Sequence, residues 1–163
     1  MDLENSQGSW IVDGVSGKKY LDMFSMFASA SVGYNHPRII SNLDLLGKVS
    51  VSKPTLSDVY NVHYADFVNT FNEIAIPDYL KHTFFIEGGS LAVENALKVA
   101  FDWKIRKNIE NGKGKEKGRQ IIHFKQAFHG RSGYTLSLTN TSDPRKTMYF
   151  PKFDWPRIDY FIY

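Results

Sequence analysis

The fold is decided by the stretch Thr83-Phe-Phe-Ile-Glu-Gly-Gly-Ser-Leu-Ala-Val-Glu-Asn-Ala-Leu-Lys98. Residues 83–86 are aromatic or β-branched, which favours a buried strand. The pair Gly88-Gly89 predicts a turn, and a long helix is expected to begin near Ser90. Strand, glycine turn and helix in this order predict an α/β fold with a parallel sheet, whose ligands bind beyond the carboxyl ends of the strands.

The predicted helix has apolar residues at helical spacing, which suggests that one face is buried. These residues are Ala92, Ala96, Val99, Ala100 and Trp103. Two pairs of opposite charge stand four residues apart on the same helix, Glu94 with Lys98 and Asp102 with Arg106. Such pairs are typical of a solvent-exposed helix surface, so we expect both of them to lie in solvent.

The start of this helix is a candidate anion site. Its first N–H groups have no partner inside the helix, and glycine allows a ligand to approach the backbone closely. The hydroxyl of Ser90 could either cap the helix or reach a phosphate oxygen. The Gly-Gly-Ser sequence is neither a dinucleotide fingerprint nor a P-loop, so an ordinary turn before a helix is the competing interpretation.

A second group of candidate residues follows residues 120–124, which predict another buried strand. It is Ala127-Phe-His-Gly-Arg-Ser-Gly-Tyr134. Phe128 offers a flat apolar face, Gly130 permits close approach of the backbone, and Arg131 is a planar cation suited to a carboxylate. Taken singly, Phe128 could be a core residue and Arg131 a surface charge, and His129 is best explained by a local hydrogen bond.

The first half of the chain predicts a hairpin and two helices. Residues 10–12 and 20–22 are β-prone and flank a turn at residues 13–17. A short helix is expected over residues 37–46, and a second restarts near residue 53, with Thr55 and Asp58 at capping-box spacing. The second helix is expected to bury an aromatic and apolar stripe formed by Tyr60, Tyr64, Phe67, Val68, Phe71 and Ile74.

Composition bounds the kind of protein. The chain has 163 residues, of which 42% are hydrophobic, and has no cysteine, which excludes disulfides, thiolate metal sites and a cysteine nucleophile. No apolar run is long enough to cross a membrane, and the polar first residues argue against a secretory leader, so a soluble cytoplasmic protein is expected. Residues 104–119 hold much of the net charge of +3 but contain no aromatic residue for base stacking. We interpret them as a solvated helix end and loop rather than a nucleic-acid arm.

Together the two groups of candidate residues resemble the class III, fold-type-I aminotransferases that use pyridoxal 5'-phosphate. The lysine-specific members are the most similar, through Gly8-Ser-Trp10, Tyr20-Leu-Asp-Met23, Gly33-Tyr-Asn-His-Pro37 and Phe150-Pro-Lys-Phe-Asp-Trp-Pro-Arg157. The resemblance implies the N-terminal portion of that fold. Residues 1–50 would be a segment of the small domain, and residues 51–163 the first part of the mostly parallel large domain.

The resemblance also implies roles for individual residues. The backbone amides of Gly89 and Ser90 would hold the cofactor phosphate, Phe128 would stack on the pyridine ring, and Arg131 would contact a substrate carboxylate. Residues 23–31 would shape the pocket. The implied reaction moves the terminal amino group of L-lysine to 2-oxoglutarate, in a protein that forms a homodimer when complete.

By the same resemblance, the Schiff-base lysine, the aspartate that pairs with the pyridine nitrogen and a second substrate arginine lie beyond this sequence. Lys98 and Lys125 match no such motif, so the catalytic residue is unassigned and the given chain is expected to be an inactive part. Two alternatives stay open: another class III aminotransferase, acting on ornithine, acetylornithine or 4-aminobutyrate, and a non-catalytic remnant that binds phosphate or a partner. A nucleic-acid-binding module ranks third.

Overall fold

The computed structural model describes residues 1–52 and 58–160, and the chain forms two compact units, Met1–Lys81 and His82–Tyr163. This division falls some thirty residues after the boundary expected at residue 50. The expected boundary separates domains of a complete fold, whereas the two units describe how this chain packs, so the domain assignment stays a prediction. Within the described residues, no helix has the length and apolar character required to cross a membrane.

The first unit begins with a three-stranded antiparallel sheet. Its strands are β1 (Asp2–Gln7), β2 (Trp10–Val12) and β3 (Lys19–Leu21), in the order β1-β2-β3. The predicted hairpin is confirmed: Trp10 pairs with Leu21 and Val12 with Lys19. The connecting turn is closed by the Asp13 N–H, which donates to the Lys18 carbonyl over 2.9 Å.

After β3 the backbone adopts a left-handed turn, α1 (Ser25–Ala28), in which all four φ angles are positive, between 47° and 65°. Asp22 anchors the start of this turn, because its Oδ1 accepts the N–H groups of Phe24 and Ser25, each over 2.8 Å. The hydroxyl of Tyr34 donates to Asp22 Oδ2 over 2.7 Å. These hydrogen bonds hold the pKa of Asp22 below its usual value.

Three further helices lie among the described residues of this unit: α2 (Pro37–Ile40), α3 (Leu43–Ser50) and α4 (Val62–Ala75). The helix expected over residues 37–46 is interrupted after Ile40, and α3 begins at Leu43. In α4 the predicted stripe forms, with the rings of Tyr64, Phe67 and Phe71 in contact in series, but no residue of this helix is buried. Asn61 caps the helix by accepting from Tyr64 N–H over 3.0 Å. Thr55 of the predicted capping box lies outside the described residues.

The second unit contains the long helix α5 (Gly89–Glu110), followed by β4 (His123–Phe124), α6 (Gly133–Leu138), a 3-10 turn (Pro144–Lys146) and β5 (Arg157–Ile158). Strands β4 and β5 are parallel, and β4 occupies the last two residues of the strand predicted over residues 120–124. The prediction of a strand at residues 83–86 is wrong for this structure. Its side chains favour extended backbone, but a strand also requires a ladder with a neighbour, and no described strand forms one with it.

The core of this unit is aromatic and lies between α5, α6 and the segment that precedes β5. Leu97, Leu138 and Trp155 are its buried hydrophobic residues. The indole of Trp155 stacks on Phe153 with ring centroids 5.0 Å apart and contacts the ring of Phe101 at 5.7 Å. Helix α5 therefore contributes Leu97 and Phe101 to the core, one turn apart.

The predicted face of α5 is wrong. Val99 is 69% exposed and Trp103 58% exposed, whereas Leu97 is buried. Because α5 carries apolar residues on two sides, periodicity alone does not show which side faces the core. The pair of Asp102 with Arg106 is confirmed as an exposed ion pair of 2.7 Å.

Residues 104–119 are nearly all exposed, and α5 ends at Glu110 within them, as expected of a helix end and a surface loop. The loop returns to the helix at Asn108, whose Nδ2 donates to the carbonyl of Lys117 over 2.8 Å. The predicted helix end and exposed loop are both observed.

Candidate functional site

The N-terminus of α5 has the geometry of an anion site. Gly88 is the N-cap residue, with a φ of 80° that favours glycine, and no side chain caps the helix. The N–H groups of Gly89, Ser90 and Leu91 precede the first intrahelical hydrogen bond, which Ala92 N–H donates to the Gly88 carbonyl. A Cβ atom added to Gly88 or Gly89 would meet nothing within 4 Å, so the space before these amides is open.

The hydroxyl of Ser90 is turned toward α6. Its Oγ lies 2.6 Å from Ser132 Oγ and 3.0 Å from Thr135 Oγ1. Ser132 and Thr135 form a capping box at the start of α6. The side chain of Ser90 therefore joins the starts of two helices, and capping of its own helix, one of the two uses considered for this hydroxyl, is not observed.

The backbone of residues 127–130 lies directly on this junction. A Cβ atom at Gly130 would be 2.5 Å from Ser90 Cβ and 3.0 Å from Ser90 Cα, and the φ of Gly130 is 110°. Only glycine fits such an approach. Thr139 Oγ1 donates to the Gly130 carbonyl over 2.5 Å and accepts the His129 N–H over 3.0 Å. Local hydrogen bonding of His129 is thus observed at its backbone.

Phe128 and Arg131 project from this anchored backbone. Phe128 is 63% exposed, and Arg131 is exposed and makes no ion pair within residues 1–52 and 58–160. Gly130 and Ser132, the two neighbours of Arg131, both contact Ser90. The structure therefore brings the backbone of Arg131 to the helix start that carries the free amides.

Glu94 is a residue whose place the sequence analysis misjudged. It was expected in solvent beside Lys98, but it is only 7% exposed. Its Oε1 accepts the N–H of Tyr134 over 2.7 Å, in the first turn of α6. Glu94 and Lys98 would have the same i, i+4 spacing on any side of the helix. The spacing therefore did not reveal that α6 covers the side of α5 that carries Glu94.

The hydroxyl groups beneath the site were also missed. Thr135, Ser137 and Thr139 are fully buried, and Ser137 Oγ accepts the N–H of Phe153 over 2.9 Å. A Ser-x-x-Thr spacing at residues 132–135 was the available signal for the start of α6. The buried roles of Ser137 and Thr139 had no signal in the local sequence, because their partners are remote in the chain.

His123 is the first residue of β4 and is buried. Its Nδ1 is 3.2 Å from Asn140 Nδ2, which can donate to it when the ring is neutral. Burial lowers the pKa of His123 below 6.5, and the positive charge of Arg157 lowers it further. The folded protein therefore favours the neutral imidazole. His123 is buried and is not part of the exposed anion site.

The whole chain, residues 1–163, matches the family model described as aminotransferase class-III. The chain belongs to this family, and its fold is the corresponding part of a pyridoxal-phosphate-dependent aminotransferase. The L-lysine-epsilon aminotransferase of Mycobacterium tuberculosis is 52% identical over 162 residues, covering 98% of this chain. The enzyme of the same name from Amycolatopsis lactamdurans is 52% identical over 161 residues, covering 97% of this chain.

The solved structure of the M. tuberculosis lysine aminotransferase in its internal aldimine form superposes with a TM-score of 0.92 at 52% identity. The superposition covers 98% of this chain and 37% of that one. The chain likewise spans 36% of the length of its M. tuberculosis sequence relative and 35% of the Amycolatopsis one. The resemblance found in the sequence is thereby confirmed.

Proposed function

We propose that this chain supplies the phosphate-binding and carboxylate-binding part of an aminotransferase that moves the terminal amino group of L-lysine to 2-oxoglutarate. The observation that carries the proposal is the contact of Gly130 and Ser132 with Ser90, which brings an unpaired arginine to a helix start with free amides. The reaction converts the amine-bearing carbon of lysine into an aldehyde and 2-oxoglutarate into glutamate.

The residues present fit pyridoxal phosphate. Its dianionic phosphate suits the free amides of Gly89 and Ser90 at the positive end of the α5 dipole. The open space before Gly88 and Gly89 leaves room for oxygen atoms that side chains would block. The exposed ring of Phe128 offers a face for the pyridine ring. When bound, the cofactor acts as an electron sink that eases proton loss from the carbon bearing the amino group.

Arg131 is proposed to orient a substrate carboxylate. Both substrates carry a carboxylate at a distance from the reacting carbon, and a planar guanidinium holds such a group in one orientation by two parallel hydrogen bonds. The anchored backbone of residues 130 and 132 limits how far the arginine can shift. Substrate orientation of this kind lowers the entropic part of the activation barrier.

The proposal is tested on the complete protein that contains this chain. With pyridoxal phosphate and 2-oxoglutarate present, formation of glutamate is measured with L-lysine, ornithine, acetylornithine or 4-aminobutyrate as donor. We expect the highest kcat/KM with L-lysine. A higher kcat/KM with another donor would favour the other class III activities, and absence of both cofactor binding and glutamate formation would favour the non-catalytic alternative.

We further propose a cytoplasmic homodimer for the complete protein, with no nucleic-acid partner. Val99 and Trp103 expose apolar side chains, which supports the proposal that a second subunit covers this surface. The exposed loop of residues 111–119 has no aromatic residue on which a base could stack, which supports the absence of a nucleic-acid partner. Sedimentation equilibrium should give twice the mass of one chain. A monomeric mass at micromolar concentration would contradict the dimer.

A further inference from the structure

We infer that Glu94 is a positioning residue, which holds the backbone that carries Arg131 in register with the start of α5. This inference rests on the proposed function, because Arg131 acts on a substrate only in an aminotransferase. Glu94 Oε1 accepts the Tyr134 N–H over 2.7 Å. This N–H lies in the first turn of α6, where no carbonyl of the helix can reach it, so the carboxyl group of α5 caps α6.

A second link lies one helical turn away on α5. The hydroxyl of Ser90 contacts Ser132 Oγ at 2.6 Å, and Ser90 and Glu94 are four residues apart, hence on the same side of the helix. The start of α6 is thus attached to α5 at two points. Arg131 immediately precedes the first of them, so its Cα position depends on both attachments.

Packing alone does not explain a carboxyl group at this position. Glu94 is 7% exposed, and its second oxygen, Oε2, has no hydrogen-bond partner among the described residues. A buried polar atom without a partner costs stability, so an apolar side chain of similar volume would serve packing better. What Glu94 supplies and leucine does not is the acceptor for Tyr134 N–H.

Space around this contact is also restricted. A Cβ atom at Gly133 would lie 2.8 Å from Glu94 Oε1, so α6 begins as close to the carboxyl group as a glycine backbone allows. The contact with α6 is therefore short, directional and specific to this carboxyl oxygen.

The test uses Glu94→Leu and Glu94→Gln in the complete protein, with Asp102→Leu as matched control. The control removes a carboxylate from the same helix at an exposed position, 2.7 Å from Arg106. Glu94→Leu should raise, by about tenfold or more, the KM for whichever substrate loses affinity in Arg131→Ala. Glu94→Gln should stay within about threefold of the wild type, because its amide oxygen accepts the same N–H.

A double variant with Arg131→Ala distinguishes a positioning role of Glu94 from a general loss of rigidity in the protein. In an Arg131→Ala background, Glu94→Leu should raise this KM no further, because the group it positions is gone. Deuterium exchange at residues 132–138 should be faster in Glu94→Leu than in the wild type and unchanged in Asp102→Leu. The cofactor dissociation constant should change by less than about threefold in Glu94→Leu, because the α5 amides are untouched.

Three results would overturn the inference: wild-type KM in Glu94→Leu, an equal increase in Glu94→Gln, or an undiminished increase in the Arg131→Ala background. Unchanged deuterium exchange in Glu94→Leu would do so as well, whether or not the protein has transaminase activity. Failure of the proposed function would appear instead in the wild type, as absence of cofactor binding and of glutamate formation.

Discussion

At the scale of single residues, substitution of Arg131 tests whether this residue binds a substrate or is only a surface charge. In the complete protein, Arg131→Ala should lower kcat/KM by the equivalent of about 2–5 kcal/mol, because a substrate carboxylate loses its paired cation. Arg131→Lys should recover only part of this, since a point charge lacks the planar fork. Steady-state kinetics with both substrates varied, alongside cofactor content, measures the effect. Unaltered kinetics in Arg131→Ala would return this residue to an ordinary surface charge.

Gly89 tests the anion site independently of the substrate. A Cβ atom at this position would meet no atom within 4 Å, so Gly89→Val should leave the unfolding temperature of the cofactor-free protein nearly unchanged. It should weaken cofactor binding by more than about tenfold, because the valine would occupy the space that the phosphate needs. Ala92→Val, one turn further on the exposed side of α5, serves as control. Equal cofactor affinity in both variants would show that Gly88-Gly89 is only a turn.

The lowered pKa of His123 predicts that the stability of the folded protein depends on pH. Burial lowers its pKa in the folded protein, so the unfolded chain binds the proton more readily. Its contribution to stability is therefore present above pH 6.5 and is lost as the pH falls from there through the folded-state pKa. His123→Gln should show a shallower fall in unfolding free energy below pH 6.5 than the wild type. Equal slopes in wild type and His123→Gln would contradict the assignment of this pH dependence to His123.

How much of the site was predictable depended on whether a residue's role is local. The free amides at Gly89 and Ser90 follow from a glycine turn before a helix, and the structure has this turn. A close backbone approach at Gly130 was predicted. The residue that Gly130 approaches, Ser90, was not predicted, because it stands forty residues earlier in the chain. The role of Glu94 was invisible for the same reason, because it is defined by an amide on another helix.

At the scale of elements, Trp155 holds α5, α6 and the segment before β5 together. It is 6% exposed and contacts Phe101, Tyr134 and Phe153. Trp155→Ala should lower the free energy of unfolding by about 3–5 kcal/mol, because a large aromatic side chain leaves a cavity.

Chemical denaturation of the complete protein measures the loss, with Tyr149→Ala as control because Tyr149 is 85% exposed. That control should change the free energy of unfolding by about 0.5 kcal/mol or less. Equal effects of the two substitutions would mean that the aromatic cluster does not form the core of this unit.

Element types were easier to predict than the faces they bury. The hairpin, α4 and α5 formed because turn residues and helical spacing are properties of adjacent residues. The buried side of α5 was predicted wrongly, since Val99 and Trp103 are as apolar as Leu97 and Phe101 and only the packing partner distinguishes the two sides. Residues 83–86 show the same limit for strands, because their side chains favour extended backbone but do not show whether a neighbouring strand will pair with it.

At the scale of the whole molecule, the exposure of the lysines bears on covalent binding of the cofactor. Every lysine that the structure describes is exposed, whereas an amine that forms a stable covalent link with a carbonyl cofactor is held in a dry pocket or beside another cation. Lys125 in addition pairs with Asp159 over 2.9 Å. We therefore expect a polypeptide of residues 1–163 to form no stoichiometric link with pyridoxal phosphate.

Borohydride reduction followed by peptide mass spectrometry tests this expectation. Low, scattered labelling of several lysines would agree with it, and a complete class III aminotransferase treated in parallel serves as the control for stoichiometric labelling. One lysine of this polypeptide labelled in a one-to-one ratio would contradict it.

The left-handed turn of Ser25–Ala28 also determines how this protein can diverge. Each residue other than glycine in such a conformation costs about 1–2 kcal/mol, so hydrogen bonds must hold the backbone in this path. Asp22 supplies part of this support by accepting two backbone N–H groups and the Tyr34 hydroxyl, and Ser25 Oγ adds to it by accepting the Ala28 N–H over 3.2 Å. Met26 and Ala28 can therefore change more freely than Asp22, Ser25 and Tyr34, because the course of the turn depends on the hydrogen bonds of these three side chains.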